Sequence, residues 1–137
     1  MPAQVTLRLD FATDRRLGHG KVALLEAVRR NGSIAAAGRD FGMSYRRAWL
    51  LVDEMNRMFH EPVVETRGGG RNGGGAVLTD MGEMVIALYR RAEKKILKSA
   101  ATEIQALENA LAPAMPALVE GSVPSGTAIG NEAGGEP

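Results

Sequence analysis

The sequence predicts a mostly α protein with a small β-hairpin wing: a winged helix-turn-helix that runs on into a long C-terminal dimerisation helix. Three observations carry that expectation. Two serine-capped helical segments are separated by a glycine turn between residues 33 and 59. Two short apolar runs then flank a loop in which six of the eight residues from Gly68 to Gly75 are glycine. Finally, one apolar stripe extends from Met81 to Leu111.

In chain order, Gln4 to Leu9 alternates Val5, Leu7 and Leu9 with Thr6 and Arg8, the period-2 pattern of a half-buried strand. A turn-rich connector ends in LGHG, Leu17 to Gly20. In KVALLEAVRR the residues Val22, Leu25 and Val28 share a helical face with Leu24 beside them, and Asn31-Gly32 is a stop signal. Ser33 is suited to cap the short helix IAAAGRDF, and Ser44 to cap YRRAWLLVDEMNRMF, whose Ala48, Leu51/Val52, Met55 and Met58/Phe59 form a core stripe. Small residues at Ala35 to Ala37 let these two helices cross closely. By itself the pattern also fits any corner of a helical bundle.

VVET and AVLT, on either side of the glycine loop, read as hairpin strands. A helix-turn-helix followed by a hairpin is the element order of a winged helix. Thr79 then caps a final helix, expected over 79–111, with Asp80 and Glu83 in its first turn. At ~1.5 Å per residue such a helix is about 45 Å long, more than so small a domain covers. Its stripe of Met81, Val85, Leu88, Ala92, Ile96, Ile104 and Leu107 is therefore expected to pair with a second copy of the chain. The expected organisation is a domain over 1–111 and a disordered tail over 112–137, rich in Ala, Gly and Pro.

Composition narrows the function. With no cysteine, thiolate zinc sites, disulfides and cysteine nucleophiles are excluded, and a reducing cytoplasm is the natural compartment. No apolar block has the length of a membrane span or a signal peptide. His19 and His60 stand apart from any metal-ligand spacing, and Asp53-Glu54 are adjacent, so they cannot flank one bond. No enzyme, metal or cofactor is expected. Residues 1–111 hold all 17 basic residues and 13 of the 16 acidic ones, a net charge of +4. That bias is mild, so position matters more than total.

Position points to double-stranded DNA. Ser44, Tyr45, Arg46 and Arg47 open the second helix of the motif, the end that enters a major groove, where arginine can bond guanine in two places. Arg67, Arg71 and Asn72 rim or occupy the glycine loop, where a close backbone approach and a cation suit a phosphate or a narrow minor groove. A nucleotide-binding loop fails in detail, because no Gly-Lys-Ser/Thr follows. Ser33 is first a cap and second a phosphate contact. Trp49 is expected to pack in the core or between helices; Arg57, further down the helix beside Asn56, is expected on an ordinary surface or at a phosphate; Lys21, Arg29 and Arg30 are expected first on a solvated face and second at phosphates. The rival reading is a winged-helix module that pairs with a separate sensor or regulator protein.

The blocks GSIAAAGRDFGMSYRRAWLLVDEMN and VVETRGGGRNGGGAVLTDMGEMVIALYRRAE resemble the DNA-binding domain of the ModE family of molybdate-responsive transcriptional regulators, a LysR-like winged helix. The resemblance spans residues 4 to 98, and GSI, SYRRAW, EMN and the glycine loop with AVLT are its most specific parts. It implies operator binding as a homodimer and supports Ser44 to Arg47 as contacts. Family members also carry C-terminal oxyanion-binding domains. Here only the tail follows Leu111, so molybdate binding is not expected of this chain.

Overall fold

The structure is a computed structural model that describes residues 3–68 and 75–113. Its elements run β1 (Arg8–Phe11), β2 (Arg15–Gly18), α1 (His19–Asn31), α2 (Ile34–Asp40), α3 (Tyr45–Met58), β3 (Val64–Thr66), β4 (Ala76–Leu78), α4 (Asp80–Ser99) and α5 (Ala101–Ala110). The mostly α class with a small antiparallel hairpin is as the sequence predicts. The chain divides into a unit over Pro2–Ser99 and one that begins at Ala100.

In the larger unit α1 is the hub. Its Val22, Leu24, Leu25, Ala27 and Val28 are fully buried, and it packs against α2, α3, α4, β2 and β4. Gly32 ends the helix in a left-handed conformation (φ 71°) and donates its N–H to Val28 O at 2.8 Å, the stop expected from Asn31-Gly32. Ser33 and Ser44 cap as expected, accepting from Ala36 N at 2.9 Å and Arg47 N at 3.1 Å. The tight crossing of α2 and α3 lies further along than the alanines suggest. A Cβ at Gly38 would come within 2.9 Å of Ala48 Cβ, whereas Ala35 and Ala36 are only half-buried.

At the N-terminus the structure departs from the expected strand and connector. The strand begins at Arg8, and β2 pairs with it from Arg8↔Gly18 to Phe11↔Arg15. Only Leu17 of β2 is buried, so β2 carries no apolar alternation to announce it. Thr13 and Asp14 turn the chain at φ 61° and 59° without a glycine. Leu7 and Leu9 pack on the core, as the period-2 pattern predicts, and Tyr89 of α4 donates its hydroxyl to Leu7 O.

The expected final helix over 79–111 is two helices, α4 and α5, interrupted at Ala100 (φ −100°, ψ 12°). No glycine or proline marks the break. Ser99 and Thr102 flank it, residues whose hydroxyls compete with the helical ladder. Within α4 the apolar stripe serves two purposes. Met81 and Val85, expected at a dimer face, are each only 6% exposed and belong to the chain's own core with Ile86 and Tyr89. That corrects the expectation for these two residues. Leu88 and Ile96 remain exposed at 51% and 39%. In α5 no residue is buried, and Leu107 is 68% exposed. The expected tail lies outside the described residues beyond Pro113.

Candidate nucleic-acid interface

The start of α3 breaks a local rule. The positive end of a helix dipole favours carboxylates, as at α4, which opens with Asp80 and Glu83. α3 has no acidic residue in its first turn and carries Arg46 and Arg47 there, both exposed. Two cations at a helix N-terminus cost roughly 0.3–1 kcal/mol each. Among the described residues no carboxylate forms a salt bridge with either of them to offset this. Such a conflict is expected where a site, not the fold, selects the residue.

Several other basic side chains around the motif are occupied. Lys21 bonds Glu54 at 2.6 Å, Arg29 bonds Glu83 at 2.6 Å, Arg30 bonds Asp40 at 3.1 Å, and Arg57 bonds Asp53 at 2.6 Å. Asn31 adds a hydrogen bond to Asp40 at 3.0 Å, and with Arg30 it holds that carboxyl below its ordinary range. Arg90 links α1 to α4 through both oxygens of Glu26, at 2.8 and 3.0 Å, and also bonds Glu93. The hydrogen bonds from Arg90 hold Glu26 below the usual carboxylate range, against the opposing effect of burial. The pairing thus leaves Arg46 and Arg47 as the outward cations of α3, along an open groove lined by Ser44, Leu50, Leu51 and Glu54 as well.

The hairpin is rooted on the motif at two places. Asn56, near the end of α3, accepts from Val63 N at 2.8 Å and Val64 N at 3.0 Å and donates to Val64 O at 3.3 Å. On the other strand, Ala76 N donates to Gly32 O at 2.9 Å. Arg67 N in turn donates to Gly75 O at 2.7 Å, closing the loop's base. The root of the wing therefore sits against the turn that leads into Ser33, which brings Arg67 and Ser33 into one region. Ser44 to Arg47 form a separate group at the start of α3, with no hydrogen bond or ion pair to Arg67 among the described residues. Arg71 and Asn72 lie outside the described residues.

One side chain departs from its expected role, and another has a role that the sequence does not announce. Trp49 is 41% exposed, because Ala48, Val52 and Met55 already fill the inward face of α3 and Trp49 falls to its side. Asn56 is a clamp between helix and wing. Its only sequence signal is an amide one turn before a chain reversal, which is too common to single out.

No protein-family model matches the chain. It is 49% identical over 86 residues to the molybdenum-pterin-binding protein MopB of Rhodobacter capsulatus, which covers 63% of this chain and 32% of that protein. It is 42% identical over 91 residues to the molybdenum transport protein ModE of Azotobacter vinelandii, covering 66% and 33%. With the DNA-binding transcriptional dual regulator ModE of Escherichia coli (strain K12) it shares 37% identity over 89 residues, covering 65% and 34%. The chain thus spans about a third of the length of these relatives. Over that share of their length, the chain is a homologue of the ModE and MopA/MopB proteins.

Proposed function

We propose that this chain is a sequence-specific, DNA-binding transcriptional regulator that grips its operator as a homodimer in the cytoplasm, with molybdate-related genes as its targets. The observation that carries the reading is the pair Arg46 and Arg47 at the start of α3, uncompensated by any acid of that turn. Arg46 and Arg47, with Tyr45 and the hydroxyl proton that Ser44 retains as a cap, enter the major groove. Arg67, with Arg71 and Asn72 of the loop, follows the adjacent backbone, and Ser33 meets a phosphate near the wing root. Leu88, Ala92 and Ile96 of α4 supply one surface for the second copy and Ile104 and Leu107 of α5 another, and half-sites then stand about 34 Å apart.

The names of MopA and MopB attach molybdenum-pterin binding to proteins that this chain matches over about a third of their length. No group of three or more His, Cys, Asp or Glu suited to a metal ion occurs among the described residues.

The test is selection of bound sites from random duplexes, followed by titration at two salt concentrations. An inverted repeat, binding that weakens with salt, and two chains per duplex are expected. Arg46→Ala should relax base preference at a cost of about 1–3 kcal/mol, while Arg67→Ala should weaken all sequences alike. Indifference of the protein to duplex DNA in dilute salt would overturn the proposal.

A further inference from the structure

We infer that Tyr45, Trp49 and Leu50 form an apolar facet of α3 that reads the C5-methyl groups of thymine, so that the bound site carries thymines at fixed positions under this helix. The inference rests on the DNA-binding reading above and adds what the helix recognises.

The helix meets its core requirement without these three side chains. Ala48 and Met55 are fully buried and Val52 is 3% exposed, whereas Tyr45, Trp49 and Leu50 are 57%, 41% and 47% exposed. Tyr45 and Trp49 stand one turn apart in one row, and Arg46 and Leu50 in the next, so apolar and cationic groups are interleaved on the outer surface. The acids further along the helix do not oppose a polyanion, because Asp53 is bonded to Arg57 and Glu54 to Lys21. Whatever covers this apolar area must also match the charge of the two outward arginines.

A duplex satisfies both groups. Its phosphates and guanine edges take the arginines, and in the major groove the thymine methyl is the apolar group that a ring edge or a leucine can meet. Stacking on a base is excluded, since bases within a duplex are already stacked on each other.

Thymine differs from deoxyuridine by that methyl alone, which gives a direct test. Sites selected by the full chain are resynthesised with each thymine replaced singly by deoxyuridine. The affinities are then measured for the unaltered chain, for Trp49→Ala and for Leu50→Ala, with thermal melts confirming that both variants fold. At one or more positions the unaltered chain should lose about fourfold in affinity, the transfer free energy of one buried methyl group. The same replacement should matter less than about half as much once the contacting side chain is gone, because the two losses share one contact. If a variant does not fold, the deoxyuridine series on the unaltered chain decides alone.

Salt-dependent binding that ignores every methyl, an identical methyl effect in both variants, or selected sites without thymine would overturn the inference and leave the DNA-binding reading standing. Absence of any duplex binding would overturn both.

Discussion

Replacing Asn56 by alanine should uncouple the wing from α3. The substitution removes three hydrogen bonds, at 2.8, 3.0 and 3.3 Å, and opens no large cavity. The acceptor it deletes serves the backbone N–H groups of Val63 and Val64, residues that are 0% and 3% exposed and therefore have little access to water. A buried donor left unsatisfied costs about 1–3 kcal/mol, so two of them set an expected loss of roughly 2–6 kcal/mol. The longer bond to Val64 O adds little. Asn56→Asp retains an acceptor for both donors but sets a carboxylate against the Val64 carbonyl, and should fall between the wild type and Asn56→Ala. Urea unfolding followed by tryptophan fluorescence and by circular dichroism gives both values, with an unchanged slope expected if only the native contacts are lost. A loss below about 0.5 kcal/mol, the level of an ordinary surface substitution, would refute the clamp.

Two further substitutions probe the packing beside it. A Cβ at Gly82 would collide with the carbonyl oxygen of Val63, which is backbone and cannot turn aside, so Gly82→Ala should cost about 1–3 kcal/mol and lower the melting temperature by several degrees. The Glu26–Arg90 pair gives a pH dependence. Its lowered carboxyl stabilises the fold fully above the ordinary value of 4.5, and that contribution is lost as pH falls through the lowered value. Glu26→Gln should therefore be less stable than wild type near neutrality and show a flatter decline on the acid side in unfolding titrations.

Much of the architecture can be read from local chemistry. Ser33, Gly32 and Ser44 announce helix limits through cap and turn chemistry that acts within a few residues, and the structure uses all three. What escapes the sequence depends on distant partners. β2 is a strand because β1 lies beside it, and three of its four residues are not buried. Met81 and Val85 belong to a stripe that looks continuous, but only the fold reveals that its first turns face α1 and the hairpin instead of a second chain. The arginines of the candidate site are legible as letters. Their availability is not, since it depends on carboxylates such as Glu54 and Glu83, 33 and 54 residues away from the cations they hold. Asn56 and Gly82 were invisible for the same reason: both answer to Val63.

The internal pairing of Lys21, Arg29, Arg30 and Arg57 also bears on selectivity. Exposed ion pairs of this kind contribute little to stability, but they withdraw four charges from the pool that could cling to any polyelectrolyte. A regulator must find one address among a vast excess of decoys, and a protein coated in free cations would be detained by all of them. By muting these four residues at home, this chain weakens its indiscriminate hold on polyanions around the start of α3.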